Sequence, residues 1–196
     1  MAARAREPNP INHRQLEAAK SRNGLTKLHL QCFGLSDEET LLTLRHGIRD
    51  QGHSTFLANA PGREKADTTE CRVVRFDDWI ATRDEFLPLP AAPGWIAKID
   101  VEGFEPRVLR GMEDSLRRRR FLGLCVELNA STLSLAGASR DDVRGFLAEC
   151  GYTALENTPA GRQWPLHRAP NGFFVPEKRT TDFADGTYWK APIPSA

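Results

Sequence analysis

The sequence has no C-x-x-C pair, and none of its histidines stands at metal-finger spacing from a cysteine. Cys32, Cys71, Cys125 and Cys150 lie far apart, and Cys32 and Cys125 sit in apolar runs where a free thiol behaves as a small hydrophobe. No disulfide framework is expected, which suits a reducing cytoplasm. His13, His29, His46, His53 and His167 form no H-x-x-x-H pair, so no zinc site is read and no metal ligand is assigned. There is no G-x-S-x-G elbow, which counts against a hydrolase, and no G-x-G at all. The longest mostly apolar stretch, Phe121 to Leu128, is far too short to span a bilayer. The first eight residues lack the apolar centre of a signal peptide. Charge of one sign is also missing: 27 Lys and Arg oppose 26 Asp and Glu. A net charge of +1 removes the electrostatic case for nucleic acid or an anionic membrane as partner. The run Arg117 to Arg120 is read as a solvated helix end, where cations complement the dipole. A soluble, cytoplasmic protein is expected.

What is present is enough for one core. A chain of 196 residues with 40% hydrophobic residues suggests a single domain over residues 1–176, followed by a loosely held tail over 177–196. Asn9-Pro10 begins a helix that runs to Arg22 and closes at Gly24. Lys27 to Phe33 and Thr40 to Leu44 alternate as strands, separated by a polar turn from Leu35 to Glu39. Residues 46–70 read as a loop, Arg72 to Phe76 as a strand, Asp77 as the start of a short helix, and Leu87 to Pro93 as a connector. Trp95 to Val101 is nearly continuous and apolar, as a central parallel strand covered on both faces would be. A helix is expected over Glu105 to Arg118, with Val108, Leu109, Met112 and Leu116 inward and Gly111 permitting close packing on the sheet. Phe121 to Leu128 is a buried strand, and Ser139 caps a helix that ends at Gly151. Tyr152 to Leu155 and Phe173 to Val175 close the sheet. Strands alternating with helices predict an α/β layer fold with a mostly parallel sheet.

In such folds ligands bind beyond the carboxyl ends of the strands. The acids at those ends are Glu7, Asp37, Asp100 with Glu102, and Glu127. The densest cluster is Lys98-Ile-Asp100-Val-Glu102-Gly103-Phe-Glu105. Positions two apart in an extended segment point the same way, so Lys98, Asp100 and Glu102 would share one side, while Gly103 permits a sharp exit. Three carboxylates at such a corner suit acid/base work or cation binding. Glu102 and Glu105 can equally be acids favoured by the start of a helix, a reading that fits Glu105 better than Asp100 or Glu102.

Lys98-Ile-Asp-Val-Glu-Gly-Phe-Glu105, Val108-Leu-Arg-Gly111 and Val126-Glu127 together resemble the signature of the FkbM-type S-adenosylmethionine-dependent methyltransferases. Glu7-Pro-Asn-Pro10, Leu35-Ser-Asp37, Asp77-Asp78-Trp79 and Asn171-Gly-Phe-Phe-Val-Pro176 follow the same order, so the resemblance spans residues 7 to 176. It implies a Rossmann-like class I methyltransferase fold with helices on both faces of the sheet. It also implies S-adenosylmethionine as cofactor and O-methylation of a hydroxyl on a sugar or small natural product. Glu7 would bind the cofactor's ribose and Asp37 would lie near its adenine. Asp100 and Glu102 would be catalytic, facing the methyl group and the acceptor. Either could take the acceptor's proton or help hold a cation that does so indirectly.

Methyltransferases of this fold begin with a central strand and a glycine-rich turn, yet the first glycine here is Gly24 and six residues precede Glu7. The resemblance therefore implies an N-terminally truncated domain. Three explanations stay open: a start internal to a longer reading frame, a decayed fragment, or a shortened protein kept for a partner or a non-catalytic role. Two function classes compete accordingly. One is a methyltransferase acting on a small-molecule or carbohydrate acceptor. The other is a catalytically silent module acting, if at all, through protein association. A nicotinamide dehydrogenase is a weaker third, since its glycine fingerprint is equally absent.

Overall fold

Asn9 starts the first helix as its sequence context predicts: its side chain accepts the Ile11 N–H at 2.9 Å, and Pro10 takes the first helical position. In the computed structural model, which describes residues 2–47, 54–62, 66–82, 94–155 and 171–177, this helix is α1 (Pro10–Arg22). It joins β1 (Ala3–Arg6) to β2 (Leu28–Gln31), which run parallel with Arg6 opposite Gln31. That is a β-α-β unit, and Glu7 stands directly after its first strand.

A second group holds β3 (Gly34–Leu35), β4 (Thr40–Arg45) and β5 (Thr68–Val74), in the order β3-β5-β4. Two sequence expectations change here. Leu35 does not belong to the turn but pairs with Val74, and Thr68 to Glu70 leave the expected loop to pair with Arg45 to Thr43. Both segments lack local periodicity because their partners, not their own sequence, make them strands. Helix α2 (Phe76–Ala81) follows β5 directly.

The third group has the order β6-β7-β9-β8 and, with its helices, carries most of the hydrophobic core. Strands β6 (Trp95–Ile99) and β7 (Phe121–Glu127) are parallel, with Ile99 opposite Val126. Helices α3 (Glu105–Arg110) and α4 (Glu113–Arg117) connect them. After β7 come α5 (Ala130–Leu135), α6 (Arg140–Glu149), β8 (Tyr152–Ala154) and β9 (Asn171–Pro176). Val108, Leu109, Met112 and Leu116 are buried as expected, against Leu124, Val126, Leu133, Leu147 and Phe174. Tyr152, itself buried, donates its hydroxyl to the Phe121 carbonyl at 3.0 Å.

The helix expected over Glu105 to Arg118 is two short helices. Asp77 explains the break: its carboxylate accepts the N–H groups of Asp114 at 2.8 Å and Ser115 at 3.1 Å, starting α4 afresh. Gly111, at the junction, packs so closely that a Cβ there would lie 1.9 Å from the Ser36 carbonyl oxygen. Gly111 does permit close packing, but against the backbone that follows β3 and not on the sheet itself.

The fold is α/β with mixed sheets. Among the described residues β1–β2, β3–β5 and β6–β7 are parallel, whereas β4–β5, β7–β9 and β8–β9 are antiparallel. The expected parallel majority is not found, because hydrophobic patterning reports which face is buried and not which way a neighbour runs. Nor is β6 covered on both faces, since Ile96 is 56% exposed. No described helix is long and apolar enough to cross a membrane. The Leu87 to Pro93 connector and the tail beyond Glu177 lie outside the described residues.

Candidate functional site

The site grows from a reversed turn between β6 and α3. Glu102 has φ 53° and Gly103 φ 95°, two left-handed residues in succession. Gly103 suits that conformation, and a Cβ there would also meet the Thr132 carbonyl oxygen and Leu57 at 2.7 Å. Glu102 does not suit it, and a non-glycine residue held so costs about 1–3 kcal/mol. Two contacts hold the turn. The Glu105 carboxylate Oε1 accepts the Val101 N–H at 2.9 Å and the Gly103 N–H at 3.4 Å. The Thr55 hydroxyl donates to the Glu102 carbonyl at 3.0 Å and accepts the Leu57 N–H at 3.2 Å.

This turn brings Asp100 and Glu102 beside Glu127, the last residue of β7. One carboxylate oxygen from each lies within 4.8 Å of the others. Parallel pairing of β6 and β7 puts both carboxyl ends on the same rim, which is why acids 25 residues apart meet. Lys98, two residues before Asp100 and on the same side, donates to Asp100 Oδ2. That carboxylate in turn raises the Lys98 ammonium.

Burial, reinforced by Asp100, Glu102 and Glu105, pushes the Glu127 carboxyl up to about 7, while Lys98 works against the rise. Glu105 is wholly buried, and loss of hydration raises it above the usual carboxylate range despite its bonds to Val101 and Gly103. Its role as a helix-start acid is thus only part of the account, because its carboxylate also shapes the Asp100–Glu102 turn. Opposite Glu127 in the antiparallel ladder stands Asn171 of β9. Cross-strand partners project on one face, so Asn171 accompanies Glu127.

A small cleft of about 150 Å³ opens beside Glu102, lined also by Thr55, Leu57, Ala60, Thr132 and Leu135. It is mostly apolar, with one carboxylate in its wall. The segment over residues 46–70 supplies four of the lining positions, Pro61 being the fourth, and α5, which has no counterpart among the expected helices, supplies two. Asn129 is the available signal for α5: its side chain caps the helix by accepting the Ser131 N–H at 3.1 Å.

Glu7 and Asp37 occupy separate places. Glu7 Oε1 accepts the Asn9 N–H at 2.8 Å, and the wholly buried Asn9 reaches His46 at 3.1 Å, which reaches the Thr69 hydroxyl at 2.7 Å. Nearby Cys71 is pushed up to about 11 by burial, then by Cys32 and Glu7. Asp37 follows β3, where its Oδ1 accepts from the Ser36 hydroxyl at 3.0 Å and pairs with Arg107 of α3 at 3.4 Å. No described contact joins Glu7 or Asp37 to the Asp100, Glu102 and Glu127 group.

A family model described as the methyltransferase FkbM domain matches residues 5–154. Among solved structures, the chain is similar to a crystal structure of methyltransferase FkbM from Methylobacillus flagellatus KT. The two share 16% identity at a TM-score of 0.49, over 89% of this chain and 36% of that one. The chain thus spans little more than a third of that protein's length. No curated protein matches the chain.

Proposed function

We propose that this chain, which belongs to the methyltransferase FkbM family, serves O-methylation of a hydroxyl on a sugar or small natural product. The observation that carries this reading is the meeting of Asp100, Glu102 and Glu127 at the carboxyl ends of adjacent parallel strands. Open α/β sheets bind their ligands at that rim, and the two helices between β6 and β7 give the crossover that a Rossmann-like sheet uses.

The donor set fits S-adenosylmethionine in part. Glu7 ends a parallel strand and spends only one oxygen on its own turn, leaving Oε2 for a ribose hydroxyl. Asp37 keeps Oδ2 clear of the Ser36 and Arg107 contacts, so it can accept from an adenine amino group. When bound, the cofactor supplies a methyl group on a positively charged sulfur.

The remaining work falls to the chain. The cleft beside Glu102 seats the acceptor with its hydroxyl toward the carboxylates and its apolar body against Leu57 and Leu135. Asp100 Oδ2 is held by Lys98, so Oδ1 is the oxygen that meets the acceptor. Proton acceptance falls to Asp100 Oδ1 or the Glu102 carboxylate as the acceptor oxygen is alkylated. The turn, held by Glu105 and Thr55, supplies alignment, which can lower such a barrier substantially.

Calorimetry of the 196-residue chain with S-adenosylhomocysteine tests the reading. Saturable heat supports it. No saturable heat would favour a silent module acting through association.

A further inference from the structure

We propose that Asp100, Glu102 and Glu127 form a binding site for one divalent cation of the magnesium or manganese kind, with the Asn171 amide oxygen as a further donor. Three carboxylate oxygens from three residues lie within 4.8 Å of one another. Cation–oxygen bonds of about 2.0–2.6 Å place two ligands of one ion up to about 4–5 Å apart, so one ion can reach all three.

A second observation is independent of that spacing. Three acceptor oxygens around the group are shut off from solvent and have no hydrogen-bond donor: Glu105 Oε2, Glu127 Oε2 and Asn171 Oδ1. Glu105 is 0% exposed. Its Oε1 takes the N–H groups of Val101 and Gly103, the residues on either side of Glu102, which fixes the carboxylate beneath the turn that carries Asp100 and Glu102. Its Oε2 is shut off from solvent beside the acidic group, close enough to act on Asp100 and Glu127, with nothing to accept from. Asn171 faces the same way as Glu127 across the β7–β9 ladder, and its buried oxygen likewise has no donor.

Buried acceptors without donors are rare in folded proteins and call for a donor or a cation. Lys98 is the cation bonded to this group, and it meets only Asp100 from a largely exposed position. Among the described residues, no hydrogen bond or ion pair joins Glu102, Glu105 or Glu127 to a cationic side chain. The donors are all oxygen, with no sulfur or imidazole, which selects a hard cation over zinc or copper. Glu102 also lines the cleft, so an ion bound here stands at the cleft wall, where it can polarise the oxygen of a bound hydroxyl compound. The site follows from the carboxylates and orphan oxygens alone and does not depend on methyl transfer.

Electron paramagnetic resonance of Mn²⁺ with the 196-residue chain, without any cofactor, tests this. One saturable Mn²⁺ site per chain is expected, displaced by Mg²⁺ and weakened at least tenfold by Glu127→Gln and by Asp100→Asn. Absence of a saturable site, or binding undiminished in either variant, overturns the proposal. Should a variant lose its circular dichroism, nuclear magnetic resonance of the unaltered chain decides instead. Mn²⁺ broadening centred on Asp100, Glu102 and Glu127 supports the site, and broadening elsewhere or nowhere overturns it. Mn²⁺ bound without any S-adenosylhomocysteine binding would sink the methyltransferase reading and leave this one standing.

Discussion

The Thr55 hydroxyl donates to the carbonyl oxygen of Glu102 at 3.0 Å, across 47 residues of sequence. It ties the segment before the cleft to the one residue of the acidic turn that is held in a left-handed conformation without being glycine. Because the same hydroxyl accepts from Leu57, a single side chain fixes the turn and the cleft wall together.

Thr55→Val keeps the shape and removes both bonds, leaving the Glu102 carbonyl and the Leu57 N–H in want of partners. Urea denaturation should show a loss of about 1–3 kcal/mol, with Thr55→Ser recovering most of it. Equal stability of all three proteins would show that Thr55 does not hold the turn.

Asp100→Asn keeps the contact volume but removes the charge that Lys98 pairs with, and with it one of the two carboxylates proposed to take the acceptor's proton. Turnover should fall by about tenfold to ten-thousandfold, the span of general-base contributions. Affinity for S-adenosylhomocysteine should change far less. Steady-state rates beside calorimetry separate the two quantities, and unaffected turnover would remove Asp100 from the catalytic group.

Glu7→Ala should act the other way. A ribose hydroxyl bonded to a carboxylate contributes about 1.5–3 kcal/mol, so cofactor affinity should drop by about 10- to 100-fold. Affinity equal to the parent's would show that Glu7 serves only its own turn with Asn9.

Gly111→Ala tests the packing of the α3–α4 junction on the backbone after β3. With a Cβ only 1.9 Å from the Ser36 carbonyl, the helices must shift, at a cost of about 1–3 kcal/mol. A melting temperature equal to the parent's would mean that the junction has room to spare.

Ser139 and Asp142 form a reciprocal cap on α6, with each side chain bonded to the other's N–H at 3.1 and 2.8 Å. The Ser139 hydroxyl and backbone N–H hold the Asp142 carboxylate below its usual range. An acid lowered in the fold adds stability above its unfolded value, and that stability is lost as pH falls through the folded one. Ser139→Ala should therefore lower stability near neutral pH, with the difference from the parent shrinking below about pH 4. Denaturation curves between pH 2.5 and 7 would show whether the gap closes.

Much of this was legible along the chain because the signals are local. Asn9-Pro10 and Ser139 with Asp142 announce helix starts through bonds to backbone two or three residues away. The apolar positions of α3 and α4 declare their buried face by spacing. Asp100 and Glu102 stand out because they share one corner. Illegible were features whose cause lies far off in sequence. The break after Gly111 depends on Asp77, which caps α4 from 37 residues away. The strand at Thr68 to Glu70 exists through its pairing with Thr43 to Arg45. Glu127 could be named as an acid at a strand end, but not as a neighbour of Asp100, and nothing local marks Asn171 or Thr55.

By itself the sequence determined an α/β chain of the FkbM methyltransferase family, with its helix caps, its inward faces and an acidic corner after β6. Those properties are set by neighbours within a few residues, through backbone hydrogen bonds and the periods of helix and strand. The tertiary structure alone decided which acids share a rim, which oxygens are left without donors, and what seals the turn beneath them. Those depend on strand order and direction, and side-chain patterning carries no record of either.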